Sequence, residues 1–173
     1  MKILINGVPK AGNHALLKGV ELLGVAGAHV DHRKYGEPIS EDRQLFLKRH
    51  PRNILISMAR WQQRPLKQGP LIVLMQDFYN WEPMAQYLSA FTPWLHNGVH
   101  SLSYEDLTGA DWALRGIADY LNVPYLDDAF ENLPGLTTTW TGAPSDWTQH
   151  WTPVMERAWE DHGMADVQHE WGY

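Results

Sequence analysis

The sequence predicts an α/β fold: a single domain, residues 1–173, with a central parallel sheet flanked by helices. Short apolar strands alternate with amphipathic helices along the chain, the order typical of a parallel sheet with helices on both faces. The first strand also runs through a glycine-bearing turn directly into a helix. With 173 residues, 44% of them hydrophobic, the chain is long enough to bury a sizeable core.

The predicted elements follow from hydrophobic spacing and from breaker residues. Leu16, Val20 and Leu23 share one face of the first helix, and Gly24 ends it. Residues 132–148 are rich in Thr, Gly and Pro and predict a long loop, a candidate lid. Strands are predicted near 2–6, 27–31, 44–49 and 99–103, and helices near 13–23, 52–62, 82–95, 110–122 and 153–163.

The turn after the first strand, residues 7–12, has the composition of a phosphate-binding loop. Backbone N–H groups at a helix start point toward an anion, and the helix dipole favours negative charge there. Lys10 adds a full positive charge. It precedes Gly12, whereas the Walker A pattern places the lysine after its second glycine. The alternative is an ordinary strand-to-helix connection with Lys10 as a solvated charge.

A second strand–turn–helix segment spans residues 45–57. His50 and Pro51 end the strand, because proline lacks an N–H donor and favours an extended predecessor. Arg49 at the strand end and Ser57 in the following helix can converge on one anion, with a guanidinium fork and a hydroxyl as donors. The alternative is a surface arginine and a serine bonded to its own helix backbone.

Composition narrows the classes of function. The chain has no cysteine, which excludes disulfides and thiol catalysis. The net charge of −6 argues against nucleic acid as a partner. No apolar run is long enough for a signal peptide or a membrane span, so we expect a cytoplasmic protein without a membrane partner.

Four blocks, in order along the chain, resemble the PAPS-dependent sulfotransferases. Residues 9–15, PKAGNHA, are similar to that family's PKSGTTW signature, and Arg49 with Ser57 reproduces its arginine–serine spacing. Residues 104–107, YEDL, and 121–124, LNVP, match a third block. Residues 140–153 are similar to the family's C-terminal KGxxGDW…HFTP block. The resemblance implies a P-loop-NTPase-like sulfotransferase fold of the short bacterial or phage type.

The resemblance also implies a reaction and its ligands. PAPS donates a sulfuryl group to an acceptor hydroxyl by in-line displacement, PAP leaves as product, and no metal is needed. Lys10 stabilises charge on the bridging oxygen, and Ser57 is a catalytic candidate as well as a ligand. The residues implied to bind the donor are Pro9, Lys10, Ala11, Gly12, Asn13, His14, Arg49, Ser57, Trp140, Thr141 and Gly142.

Two departures from the family pattern stand out. His14 replaces a threonine, so imidazole stands where relatives have a hydroxyl. Trp140 and Thr141 replace a basic pair that assists 3′-phosphate binding in many relatives. Trp140 is either a stacking partner for adenine or acceptor, or a core residue.

The resemblance implies a histidine as general base, since its pKa lies near working pH. His29 matches the family position best, and His32 is the second candidate. We expect the His29 ring to face the cleft beside Lys10 and His32 to point away.

Other functions compete with this interpretation. A P-loop-like nucleotide kinase shares the phosphate-binding turn, but the Walker lysine and a clear Mg²⁺ carboxylate are missing. A protein that binds PAP or carbohydrate without catalysis is a further alternative, given the nine tryptophans and the altered C-terminal block. Two histidines without a third ligand do not predict a metal site.

Overall fold

A computed structural model describes residues 1–66, 81–133 and 147–173 of the chain. It contains four strands, β1 Ile3–Asn6, β2 Ala28–Asp31, β3 Arg43–Lys48 and β4 His100–Ser103. The helices in the described ranges are α1 Asn13–Leu22, α2 Pro51–Leu66, α3 Trp81–Ser89, α4 Tyr104–Gly109, α5 Trp112–Leu121, α6 Pro153–Asp161 and α7 Met164–Glu170. Short 3₁₀ turns span Thr92–Leu95 and Trp147–His150.

The four strands form one parallel sheet in the order β2-β1-β3-β4. Ile3 of β1 pairs with Ala28 on one side and with Arg43 on the other, and Leu45 of β3 pairs with His100. The predicted α/β class, with a central parallel sheet flanked by helices, is confirmed.

Apolar side chains cover both faces of the sheet. Ile3 and Ile5 of β1 face one side and pack with α1 and α5, whereas Leu4 faces the other side and packs with α2, α3, α6 and α7. All three β1 residues are fully buried. A strand buried on both faces needs a continuous apolar run, which residues 3–5 provide.

The chain leaves β1 and β3 toward opposite faces of the sheet. α1 follows β1 and packs on one face, and α2 follows β3 and packs on the other. Because β1 and β3 are neighbours, a crevice opens between their carboxyl ends, where ligands bind in open α/β sheets. The loop 7–12 and Arg49 both lie at this crevice.

Helix boundaries differ from the predicted ones where capping decides them. α2 runs to Leu66, so residues 62–66 are helical. The predicted helix 82–95 ends at Ser89 and is followed by a 3₁₀ turn with proline in its first positions. The helix predicted over 153–163 ends at Asp161, and Gly163 with φ 72° begins a further helix, α7. The predicted lid lies mostly outside the described residues.

Helix length and composition also bear on membrane insertion. Within the described ranges, no helix combines the length and the apolar character needed to cross a membrane.

Candidate functional site

The loop 7–12 is close-packed on β3 and α4 through its two glycines. A Cβ at Gly7 would lie 2.6 Å from the Leu47 carbonyl oxygen, and one at Gly12 would lie 2.3 Å from Tyr104 Cδ2. Gly12 also has φ +107°, a conformation that disfavours any residue with a Cβ. The glycines therefore let the loop approach the sheet closely.

The start of α1 lacks a side-chain cap. Gly12 occupies the N-cap position and provides no side-chain cap. Its carbonyl accepts from the N–H groups of Ala15 and Leu16, at 2.8 and 3.2 Å. An α-helix leaves its first N–H groups without intrahelical partners, so the amides of Asn13 and His14 suit an anion. His14 is exposed beside them.

Asn13 braces the loop from inside. Its side chain is 3% exposed, and Nδ2 donates to the carbonyls of Gly7 and Val8, each at 3.2 Å. The carboxamide is thus turned into the loop, whereas the sequence-based expectation placed it on a phosphate. Oδ1 is buried and accepts no hydrogen bond from the described residues. As the first residue of α1, Asn13 also has a backbone N–H without an intrahelical partner.

Lys10 holds a strained backbone and reaches toward α2. Its φ of 72° is unusual for a residue with a side chain and is typical of functional loops. Lys10 Nζ lies 4.6 Å from the ring centroid of Trp61, an arrangement in which the ring attracts the ammonium group. Trp61 is 56% exposed, so this pair stands at the open side of the crevice.

Arg49 fixes the loop from the β3 side. Its guanidinium Nη1 donates to the Lys10 carbonyl at 2.9 Å and lies over the Tyr104 ring, 4.2 Å from its centroid. Arg49 is 7% exposed, and burial lowers the pKa of its guanidinium, while Tyr104 and Glu105 act to raise it. One donor of the predicted phosphate-binding arginine is therefore used to shape the loop.

Of the other residues predicted to bind the sulfuryl donor, some are described in the structure and some are not. Ala11 is buried, while Pro9 and Ser57 are half-buried, Ser57 on α2 two turns after its start. The predicted Trp140, Thr141 and Gly142 lie outside the described residues.

The C-terminal segment packs against the beginning of α2. The Tyr173 hydroxyl donates to Glu105 Oε2 at 2.7 Å, and the Tyr173 ring lies 5.1 Å from that of His50. Burial, with Glu105 next, raises the pKa of Tyr173. Arg60 Nη2 contacts His150 Nε2 at 2.7 Å. These contacts bring Tyr173 to Glu105 and His50, and His150 to α2.

The expected orientation of the two candidate bases is reversed. His29 pairs with Leu4 inside the sheet, and its Nε2 contacts Glu41 Oε1 at 3.1 Å. β2 continues to Asp31, so His29 lies two residues before the strand end rather than at it. His32 is the first residue beyond β2, and its ring contacts Gly7 of the loop 7–12. The expectation that His32 points away is therefore wrong, and the contact of the His29 ring is with Glu41 and not with the loop 7–12.

The contacts of the His32 ring favour one tautomer. Its Nδ1 lies 2.6 Å from the Gly7 carbonyl oxygen. A carbonyl oxygen only accepts, so this short contact favours a neutral ring with the proton on Nδ1 and the lone pair on Nε2. The Asn13 Nδ2 lies 3.4 Å from the same Nδ1, a longer and weaker contact. The ring is exposed, and Nε2 can therefore take a proton from a bound molecule. The Asp31 carboxylate accepts the His32 backbone N–H at 2.7 Å, which together with Arg33 holds the pKa of Asp31 below its usual value.

Sequence reasoning missed several residues that shape this site. Tyr104 was read only as part of a motif, although it packs under Gly12 and Arg49. Trp61 lies 51 positions from Lys10, so no local pattern indicated their contact. Asn6 carried a usable signal, because a polar residue ends a fully buried apolar strand directly before the loop.

Together these groups can bind an anion and move a proton. The crevice combines helix-start amides, the Lys10 ammonium and an imidazole with an available lone pair. In the part of the chain that the structure describes, no group of three or more histidine, aspartate and glutamate side chains is arranged to hold a metal ion.

Comparison with known proteins identifies the same fold elsewhere. No protein-family model matches the sequence, and no curated protein does either. Among solved structures, the crystal structure of mouse sulfotransferase SULT7A1 complexed with PAP superposes with a TM-score of 0.74. The similarity covers 98% of this chain and 86% of that one, at 14% sequence identity. The chain therefore has the fold of that sulfotransferase.

Proposed function

We propose that this protein is a PAPS-dependent sulfotransferase that acts on a hydroxylated acceptor. The observation that carries the proposal is that the loop 7–12 contains Lys10 and is contacted at Gly7 by Nδ1 of His32, which leaves Nε2 of that ring available. The fold shared with a PAP-bound sulfotransferase supports the choice of donor. The motif blocks along the chain support it independently.

The 5′-phosphosulfate of the donor binds at the start of α1. The amides of residues 11–14 point toward the anion, and the helix dipole adds to their attraction. Pro9 and Gly12 shape the loop, and His14 lies exposed beside it. Lys10 moves from Trp61 to the bridging oxygen as the donor binds, because charge develops there when the S–O bond breaks.

The 3′-phosphate binds between β3 and α2. Arg49 and Ser57 are its proposed ligands, and Trp140 to Gly142 complete that end in the resemblance. Arg60 lies one helical turn beyond Ser57 and contacts His150. Trp140 and Thr141 replace the basic pair that many relatives have near the 3′-phosphate. The Arg60 guanidinium and the His150 imidazole add hydrogen-bonding groups near this end of the site, and the guanidinium adds a positive charge.

Transfer proceeds by in-line displacement. The acceptor oxygen attacks sulfur, the S–O bond to the phosphate breaks, and PAP leaves with the electron pair of that bond. His32 Nε2 takes the acceptor proton, in the role that the sequence had suggested for His29. The products are a sulfate ester and PAP, and the proton on His32 passes to solvent.

Donor selectivity tests the proposal. At a ligand concentration of 100 Kd, PAP adds about 2.7 kcal/mol of stability, which is about 5–11 °C in Tm for a chain of this size. We expect PAP to raise Tm more than ATP with Mg²⁺ does. A larger effect of ATP with Mg²⁺ would favour a nucleotide kinase. Transfer of labelled sulfate from PAPS to a panel of phenols, sugars and tyrosine peptides separates an enzyme from a PAP-binding protein.

A further inference from the structure

A fully buried carboxamide links the end of β1 to the segment after β2. Asn6 is 0% exposed. Its Oδ1 accepts the Arg33 backbone N–H at 3.0 Å, and its Nδ2 donates to the Arg33 carbonyl at 2.9 Å. One side chain thus satisfies both backbone groups of a residue outside the sheet, as a neighbouring strand would do.

This link lies directly beside the contact between His32 and the phosphate loop. Gly7 follows Asn6, and His32 precedes Arg33, so the two contacts form consecutive cross-connections between the same two segments. β2 ends at Asp31, and strand pairing therefore does not hold the position of His32. The Asn6 carboxamide takes over where the backbone ladder stops.

We propose that Asn6 is a positioning residue for His32. It holds the His32 ring so that Nδ1 donates to the Gly7 carbonyl and Nε2 points into the crevice. The catalytic consequence rests on the proposed function, whereas the control of the His32 tautomer does not.

Only a carboxamide meets the chemical requirement at this position. Arg33 presents an N–H donor and a carbonyl acceptor, and an amide group offers one acceptor and donors in the same plane. An ionised aspartate accepts only, and alanine offers neither. The Trp94 ring Nε1 also donates to the Arg33 carbonyl, at 3.1 Å, so that carbonyl has a second donor while the N–H depends on Asn6.

The Arg33 side chain is anchored by separate contacts. Its guanidinium contacts both oxygens of Glu41 at 3.0 Å and the Asp31 carboxylate at 2.7 Å. These ion pairs do not involve Asn6. Replacement of Asn6 therefore loosens the backbone of residues 32–33, while Arg33 stays attached to Asp31 and Glu41. The expected defect is therefore in ring position rather than in folding.

Nitrogen-15 NMR of the histidine rings tests the tautomer in the full-length protein. The His32 signals are assigned by their loss in His32→Gln. In the wild type we expect one neutral tautomer, with the proton on Nδ1. In Asn6→Ala we expect a mixture of both tautomers. Asn6→Asp keeps the side-chain volume and the acceptor for the Arg33 N–H, so we expect a smaller change in the tautomer populations.

Trp94→Phe is the matched control. It removes the other donor to the Arg33 carbonyl and keeps an aromatic ring in the core, so we expect the wild-type tautomer. An unchanged tautomer in both Asn6 variants would overturn the proposal. An equal change in Trp94→Phe would overturn it as well, because general loosening of the segment would then explain the effect.

Kinetics test the catalytic part. Misplacement of a catalytic group by about 1 Å costs about 100-fold in rate, so we expect kcat of Asn6→Ala to fall by about 10- to 100-fold while PAP affinity is kept. A mixed tautomer with unchanged kcat would overturn the catalytic consequence. A mixed tautomer in a protein whose wild type transfers no sulfate would support the positioning role and refute the proposed function.

Discussion

Substitution of Gly12 by alanine measures how tightly the loop 7–12 is packed. The new Cβ meets the Tyr104 ring at 2.3 Å, closer than any real contact, and Tyr104 is held between Gly12 and the Arg49 guanidinium. The residue also keeps φ +107°. Positive φ costs a residue with a Cβ about 1–2 kcal/mol. Forced overpacking adds about 1–3 kcal/mol.

Gly24→Ala provides the matched control. Gly24 has φ +76°, and a Cβ there meets no atom within 4 Å. Gly24→Ala should therefore lower the free energy of unfolding only by the backbone term of about 1–2 kcal/mol. Urea unfolding followed by circular dichroism measures both variants. We expect Gly12→Ala to lose about 1–3 kcal/mol more than Gly24→Ala.

The same variant tests the link between loop and ligand. If Gly12→Ala moves the loop away from Tyr104, the amides at the start of α1 move too, and PAP affinity falls while Gly24→Ala binds normally. Equal stability losses for the two variants would refute the packing argument. A destabilised Gly12→Ala with unchanged PAP affinity would refute the placement of the phosphate at this loop.

Three further predictions concern charge and proton transfer. Lys10→Ala should lower kcat by about 10²- to 10³-fold with a smaller change in PAP affinity, because the charge it stabilises develops in the transition state; equal losses in both would make it a binding residue only. His32→Gln should lower kcat by about 10²- to 10⁴-fold in a sulfate-transfer assay, as expected for a general base, whereas His29→Gln should stay near wild type; the opposite order would restore His29. Hydrogen bonds from the His32 backbone and from Arg33 lower the pKa of Asp31 in the folded state, so they stabilise the fold above the unfolded pKa of about 3.9 and lose that effect as the pH falls through the folded pKa. Asp31→Asn should therefore be less stable than wild type at pH 7 and approach it in acid, and a constant difference in Tm across pH 2–7 would contradict this.

The local pattern of apolar residues predicts most of the strands and helices. The apolar runs of β1 and β3 and the spacing of Leu16 and Val20 depend on neighbours within a few residues, so the strands and α1 were predicted to within one or two positions. Helix ends were less predictable. The YEDL motif did not predict the helix α4. Ser103 caps this helix, because its hydroxyl oxygen accepts the Asp106 backbone N–H at 2.9 Å.

The sequence singled out the loop 7–12 and Arg49, each of which directly follows a strand. It did not indicate the directions of their side chains. The Asn13 side chain donates to backbone carbonyls of the loop, and one N–H of Arg49 donates to the Lys10 carbonyl. Buried polar groups need hydrogen-bond partners, and here backbone carbonyls provide them.

The choice between His29 and His32 shows where sequence information ends. Composition, periodicity and the order of motifs are local properties, and they sufficed for the α/β class, for the glycine-bearing loop after β1 and for a histidine near the end of β2. Which histidine meets the loop depends on where β2 stops pairing with β1, and on the buried Asn6 that holds the next segment. Both depend on contacts between residues 25 or more positions apart, which exist only after the sheet has assembled.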